Sequence, residues 1–421
     1  MDEWPRVRLE EVCREITVGH VGPMADKYID EGVPFLRSLN VEPFRVKTDG
    51  LKYIGLEFHA ELKKSALRPG DVLIVRTGKP GACAIVPDWL DDANCSDLVI
   101  ARCGPRLRAR FLSYVVNSVA GQHIANHLVG AVQQHFNVGS ARSIEFGLPE
   151  VAEQDQIVDL LGSLDDKLEL NRRMNATLEA MARTIFKDWF VDFGPTRAKA
   201  EGRKPYLAVE LWDLFPNRIG DKDVPVGWRV GTVGDCFHLT MGQSPPGSTY
   251  NDSGKGLPFF QGRTDFRFRY PKNRRYCTQP TRIAEGDDTL VSVRAPVGDI
   301  NMAWEKCCAG RGIAALRHKS SSRSFTYYSM REIQRELKQY EHTGTVFGAI
   351  NKRQFEALAV VEPASEIVSG FDGLVGSIDE RIRRNVSENR ALAQTRDLLL
   401  PKLVSGEIRL GEAEKAMETV I

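Results

Sequence analysis

Six basic residues and one acidic residue fall within residues 262–276. They are Arg263, Arg267, Arg269, Lys272, Arg274 and Arg275, against Asp265. Phe266, Phe268 and Tyr270 alternate with Arg267 and Arg269, the pattern of a strand with one buried and one charged face. Arginine reads guanine edges bidentately and also grips phosphate oxygens. This segment is therefore expected to contact DNA; the competing reading is a solvated basic edge strand. Gln261, in a loop-like stretch before Gly262, could read adenine through its amide or serve as an ordinary surface residue. Arg76-Thr77-Gly78 and Arg294-Ala295-Pro296 each follow a short apolar run at matching places in the chain. Such turns can offer an Arg and backbone N–H groups to a phosphate, or be structural only. In the first half the basic residues are dispersed, and Arg37, Arg76 and Lys79 are the candidates there.

Other chemistries are poorly served. No GxxxxGK[ST] loop is present, so the backbone cradle for ATP phosphates is not expected. His123 and His127 lie four apart and would share a helix face, but the Glu of HExxH and a third ligand are missing, so no metal site is expected. None of the eight cysteines forms a CxxC pair; buried thiols are the simpler reading. Trp189, Phe190 and Phe193 form an aromatic patch that could dock a partner protein or pack internally. Net charge is only +1, so DNA contact must come from local patches rather than from the whole surface. No apolar run is long enough to span a bilayer, and the polar start of the chain is unlike a signal peptide; a cytoplasmic location is expected.

The elements that must position these residues come in duplicate. Over a long stretch the chain matches itself at a constant shift of 214 residues. Gly130-Ala131-Val132 answers Gly344-Thr345-Val346, Pro149 answers Pro363, Ser163-Leu164-Asp165 answers Ser377-Ile378-Asp379, and Asn171 and Asn175 answer Asn385 and Asn389. Each copy is a β-rich globular part followed by a long helix. In the first helix Ile157, Leu161, Leu164, Leu168, Leu178 and Ile185 recur at spacings built from threes and fours, and Phe371, Val375, Ile378, Ile382, Leu392 and Leu399 do so in the second. That is a coiled-coil seam. The matched asparagines fall on it, where a buried Asn fixes register at some cost in stability. The expected fold is α+β: two tandem β-rich domains, each followed by a long helix, the helices pairing as an antiparallel coiled coil with pseudo-twofold symmetry. The expected boundaries are 1–150 for the first head, 151–193 for its helix, 194–225 for a connector, 226–362 for the second head, and 363–421 for the second helix and tail.

Several segments resemble the specificity subunits of Type I restriction–modification systems. They are Phe186-Lys187-Asp188-Trp189-Phe190-Val191-Asp192-Phe193, Asp213-Leu214-Phe215-Pro216, Val293-Arg294-Ala295-Pro296-Val297-Gly298, Gly310-Arg311-Gly312, and Leu398-Leu399-Leu400-Pro401-Lys402-Leu403. The resemblance covers nearly the whole chain. It implies two target-recognition domains reading the halves of a split, asymmetric DNA site. It implies helices that space those domains and dock two methyltransferase subunits, which restriction subunits then join. It implies no catalysis and no cofactor on this chain; S-adenosylmethionine, ATP and magnesium would sit on the partners. The Asn-Pro-Pro-aromatic motif of such methyltransferases is absent, since Ser244-Pro245-Pro246-Gly247 lacks both the amide and the aromatic. The rival readings are a single-chain methyltransferase or nuclease with fused recognition domains, and a coiled-coil scaffold that binds only proteins.

Overall fold

The computed structural model describes residues 4–126, 136–220, 223–342 and 348–418. The chain folds as two compact units: Met1–Arg172 with Val386–Ile421, and Arg173–Asn385. Each unit holds one β-rich head and a stretch of each long helix. His127 and the Gly130–Val132 and Gly344–Val346 repeat segments lie outside the described residues.

The two heads share one topology. In the first unit a four-stranded sheet runs in the order 83–85, 72–75, 98–103, 13–18. A five-stranded sheet runs 28–29, 52–54, 33–36, 93–95, 66–67, with strands 33–36 and 93–95 parallel. The second unit repeats this order: 300–302, 289–292, 313–318, 237–241, and 250–251, 276–277, 257–260, 307–309, 283–284. Its strands 257–260 and 307–309 are again the parallel pair. The apolar runs noted above are the inner strands Val72–Val75 and Thr289–Ser292, buried at every position. They are continuous rather than alternating because sheet neighbours and helices cover both faces.

The long helices span Val151–Phe190 and Ser365–Ser405. Within each unit their stretches pair antiparallel. In the first unit Asn171 Nδ2 donates to Asn389 Oδ1 at 3.0 Å, and Arg396 Nη1 meets Asp165 Oδ1 at 2.8 Å. Leu164, Leu168 and Leu392 fill the space between. In the second unit Asn385 Nδ2 donates to Asn175 Oδ1 at 2.9 Å, while Phe186 and Phe371 pack with ring centroids 5.7 Å apart. Leu161, Val375, Ile382 and Asn171 are fully buried, and Asn175 and Asn385 nearly so.

The seam departs from its expected line in the second unit. Leu178, Ile185 and Ile378 are only half-buried, and their neighbours Glu179, Phe186 and Asp379 point inward. Ala182 completes the shifted row. An α-helix advances 100° per residue, so a strict 3.5-residue seam drifts off a straight helix, and the one-residue change of register compensates. The Asn175–Asn385 pair gives a direct test of what register costs. Asn175→Leu alone leaves a buried amide unpaired and should lower stability by about 1–3 kcal/mol. Adding Asn385→Leu should recover most of it in thermal unfolding; a double variant no better than the single one would contradict a polar pair at this seam.

The expected connector is also more ordered than its Gly, Pro and charge content suggests. Gly194–Ala200 and Val209–Trp212 are helices. Ala198, Trp212 and Phe215 are buried, and Trp189 stacks edge-on to Phe215 with centroids 4.9 Å apart. No described helix is long and apolar enough to cross a membrane.

Candidate nucleic-acid interface

The basic segment of the second head is not an alternating strand. Arg263–Asp265 is a 3-10 turn, the chain then runs irregularly, and Tyr276–Cys277 is the only strand within it. Two close glycine approaches help set this course. A Cβ on Gly312 would lie 2.4 Å from the Gln261 carbonyl oxygen, and one on Gly310 would lie 2.8 Å from Gln261 Cα. The Gly310-Arg311-Gly312 motif thus lets the Gln261 backbone pass at hydrogen-bond distance, with Gly312 N–H donating to Gln261 O at 3.0 Å. Gln261 itself is exposed.

Beyond the turn, Asn301 Nδ2 donates to the Arg267 carbonyl at 2.6 Å, and Lys272 N–H to the Asp265 carbonyl at 2.8 Å. The loop so held presents Arg263 and Arg267 outward. They line a cleft of about 450 Å³ with Thr264, Asn301, Arg331 and Gln334. An ion pair between Arg263 and Asp299 separates this cleft from a second, of about 520 Å³, bordered by Ala295, Pro296 and Lys338. Arg294, exposed, immediately precedes that border. Arg263, Arg267 and the Arg294 turn therefore share one face of the head. Arg331 and Lys338 join them; sequence reading passed over both because they stand on short helices, Arg323–Glu332 and Gln334–Gln339, far along the chain from the basic run.

The other candidates are disposed differently. Lys272, Arg274 and Arg275 are exposed. Arg274 pairs with the buried Asp265 at 3.0 Å and Arg275 with the exposed Asp252 at 3.5 Å; the exposed Arg275 pair costs little to break. In the first head Lys79 is exposed. Arg76 is committed to Asp97 at 2.6 Å, and its Nε donates to the Phe136 carbonyl at 3.3 Å. Arg37 is half-buried and donates to the Gly50 carbonyl at 2.7 Å. Both brace loops.

Arg269 is withdrawn from the surface altogether. Its side chain is 0% exposed. The backbone there has φ 62°, and this left-handed step breaks the alternation that would have pointed it outward. The guanidinium meets Glu179 at 3.1 Å and pairs with Asp379 as well. It lies over the Tyr327 ring, 3.6 Å from the centroid. Burial alone would lower its pKa, but Tyr327, Asp379, Tyr328 and Glu179 outweigh that and hold it well above its ordinary value. A DNA contact by this residue is excluded by geometry.

The aromatic patch is likewise internal. Trp189, Phe190 and Phe193 are all buried, packed on Phe371, Phe325 and Trp228. The docking reading for these three gives way to core packing. The thiols follow the expected pattern: six of eight are buried, Cys13 and Cys103 half so, and burial pushes Cys83 up to about 12. Among the described residues no group of three or more His, Cys, Asp or Glu could hold a metal.

Comparison with known proteins bears on this architecture. Residues 225–383 match the model of the Type I restriction modification DNA specificity domain. The type I restriction enzyme MjaX specificity subunit of Methanocaldococcus jannaschii is 25% identical, over 97% of this chain and 94% of that one. The HindI specificity subunit of Haemophilus influenzae is 27% identical, over 64% of this chain and 70% of its own length. The crystal structure of the type I S subunit from M. genitalium shares the fold, with a TM-score of 0.54 at 14% identity and 95% and 96% coverage of the two chains. Residues 225–383 thus match a DNA specificity domain, and the chain is similar along nearly its full length to specificity subunits of type I restriction–modification systems.

Proposed function

We propose that this chain is the non-catalytic subunit that chooses the DNA site for a type I complex, each head reading one half of a split, asymmetric sequence. The observation that carries this is the duplicated head topology, each copy joined to an antiparallel stretch of the same two helices. Two similar but unequal heads suit two unequal half-sites. Helix length would then set the gap between the half-sites, at about 1.5 Å per residue against 3.4 Å per base pair.

In this reading the target-recognition domains are 1–150 and 226–362, the helical regions 151–193 and 363–421, and the connector 194–225. The DNA-facing residues are Arg263, Arg267, Lys272, Arg274, Arg275, Arg294 and Gln261 in the second head and Lys79 in the first. Arg37 and Arg76 support their loops. The partners are double-stranded DNA, two modification subunits that carry S-adenosylmethionine, and restriction subunits that use ATP and magnesium, all in the cytoplasm.

The test is a genome-wide map of methylated bases in cells carrying the modification partner, with and without this chain. A split motif of fixed gap should appear and vanish on deletion. Unchanged methylation with an active partner would refute the specificity role, and methyl transfer or cleavage by the purified chain alone would establish the enzyme alternative.

A further inference from the structure

The withdrawn arginine has a counterpart in the first head. The 3-10 turns Ser38–Asn40 and Arg263–Asp265 occupy the same place after equivalent strands. Four residues past the ends of those turns stand Phe44 and Arg269. Both have left-handed backbone, at φ 65° and 62°. Three residues further, Lys47 N–H donates to the Asn40 carbonyl at 2.7 Å just as Lys272 N–H donates to Asp265 at 2.8 Å. Phe44 and Arg269 are thus one structural position filled by opposite chemistries.

Each reaches the helices through the same Tyr–Asp pair. Tyr114 donates to Asp165 at 2.9 Å, and Tyr328, 214 positions later, donates to Asp379 at 3.1 Å. What differs is where the cation comes from. In the second unit the head supplies Arg269, and the paired helix supplies a second carboxylate, Glu179. In the first unit the paired helix supplies the cation: Arg396 bonds Asp165 at 2.8 Å and lies 4.3 Å over the Phe44 ring. Phe44 also packs against Tyr114, with centroids 5.7 Å apart. The 214-residue shift sets Arg396 against Ala182, and Ala393 against Glu179. The two seats therefore carry opposite charge where the head residue arrives.

We propose that Phe44 and Arg269 are positioning residues that commit each head to its own stretch of helix. An aromatic face is matched to the guanidinium of Arg396, an arginine is matched to Glu179 and Asp379, and neither fits the other's place. In this chain the order of the two half-sites would then be fixed by seat chemistry as well as by chain connectivity. The idea rests on the specificity reading for its consequence in DNA, but not for the seat itself.

The experiment grafts the second seat into the first. Phe44→Arg alone brings a guanidinium against Arg396 and should cut methylation of the wild-type motif at least about 100-fold. Adding Ala393→Glu and Arg396→Ala recreates the acidic seat and should restore methylation to within about tenfold of wild type. Restoration is incomplete because Ser113 stands where Tyr327 supplies a hydroxyl to Glu179. Unfolding midpoints of the purified full-length chains should follow the same order: wild type, then triple, then single variant. A triple variant as impaired as Phe44→Arg in both measurements overturns the proposal, as does an unaffected single variant. If wild type itself specifies no split motif, the specificity reading fails separately, and the unfolding order still decides the seat.

Discussion

Arg269→Ala should collapse the second unit rather than merely weaken DNA binding. The substitution leaves Asp379 buried at the seam without its cation, and Glu179 with only the Arg331 cation, at 3.8 Å. Breaking such a pair from one side costs about 3–5 kcal/mol, because an uncompensated buried charge remains. The cation–π interaction with Tyr327 disappears as well, adding up to about 2 kcal/mol when desolvated. For a unit of this size each kcal/mol moves the midpoint by roughly 2–4 °C, so a fall of at least 6 °C is expected in thermal unfolding. The neutral variant that combines Arg269→Met, Glu179→Gln and Asp379→Asn removes all three charges at nearly constant volume. It should keep much more of the stability than the single substitution, since replacing a whole buried ionic group is often close to neutral. A shift under about 2 °C for Arg269→Ala would show that the carboxylates find other partners, and the buried cluster would lose its structural role.

The same cluster marks the limit of what sequence could tell. The repeat, the strand cores and the helix pair were legible because they obey one periodicity over many residues, as Leu161, Leu164 and Leu168 show. The matched asparagines were legible because they interrupt that periodicity at equivalent places, and Asn171 and Asn175 do meet Asn389 and Asn385. Arg269 was misread because alternation alone predicts its direction, and one left-handed residue reverses it. Glu179 and Asp379 lie beside apolar residues, Leu178 and Ile378, that satisfy a heptad better. Only the arrival of a buried cation makes the charged neighbours the true seam residues. Trp189, Phe190 and Phe193 could not be assigned from composition, since an aromatic patch suits a core and an interface equally. Arg331 and Lys338 came to the clefts beside Arg263 by tertiary folding, which no local pattern records.

Removing the basic groups on that face separates recognition from stability. Arg263→Ala, Arg267→Ala and Arg294→Ala together should leave the unfolding midpoint within about 2 °C of wild type, because exposed charges contribute little to stability. Arg263 loses only its ion pair with the half-buried Asp299, and Arg267 only bonds to the Thr264 and Phe266 carbonyls. DNA binding by the assembled complex should nevertheless fall at least about 100-fold, at about 1–3 kcal/mol for each arginine taken from the DNA. The salt dependence then sorts the roles. Each arginine that meets a phosphate lowers the slope of log K against log salt by about one when removed, whatever the sequence. Each one that reads a guanine edge instead relaxes the motif at one base pair and leaves the slope nearly unchanged. Single variants measured in this way would assign Arg263, Arg267 and Arg294 individually. A triple variant with the wild-type slope, motif and affinity would move the second half-site's reader to another face of the head. Lys272, Arg274 and Arg275, exposed on the same loop, would then be the next residues to substitute.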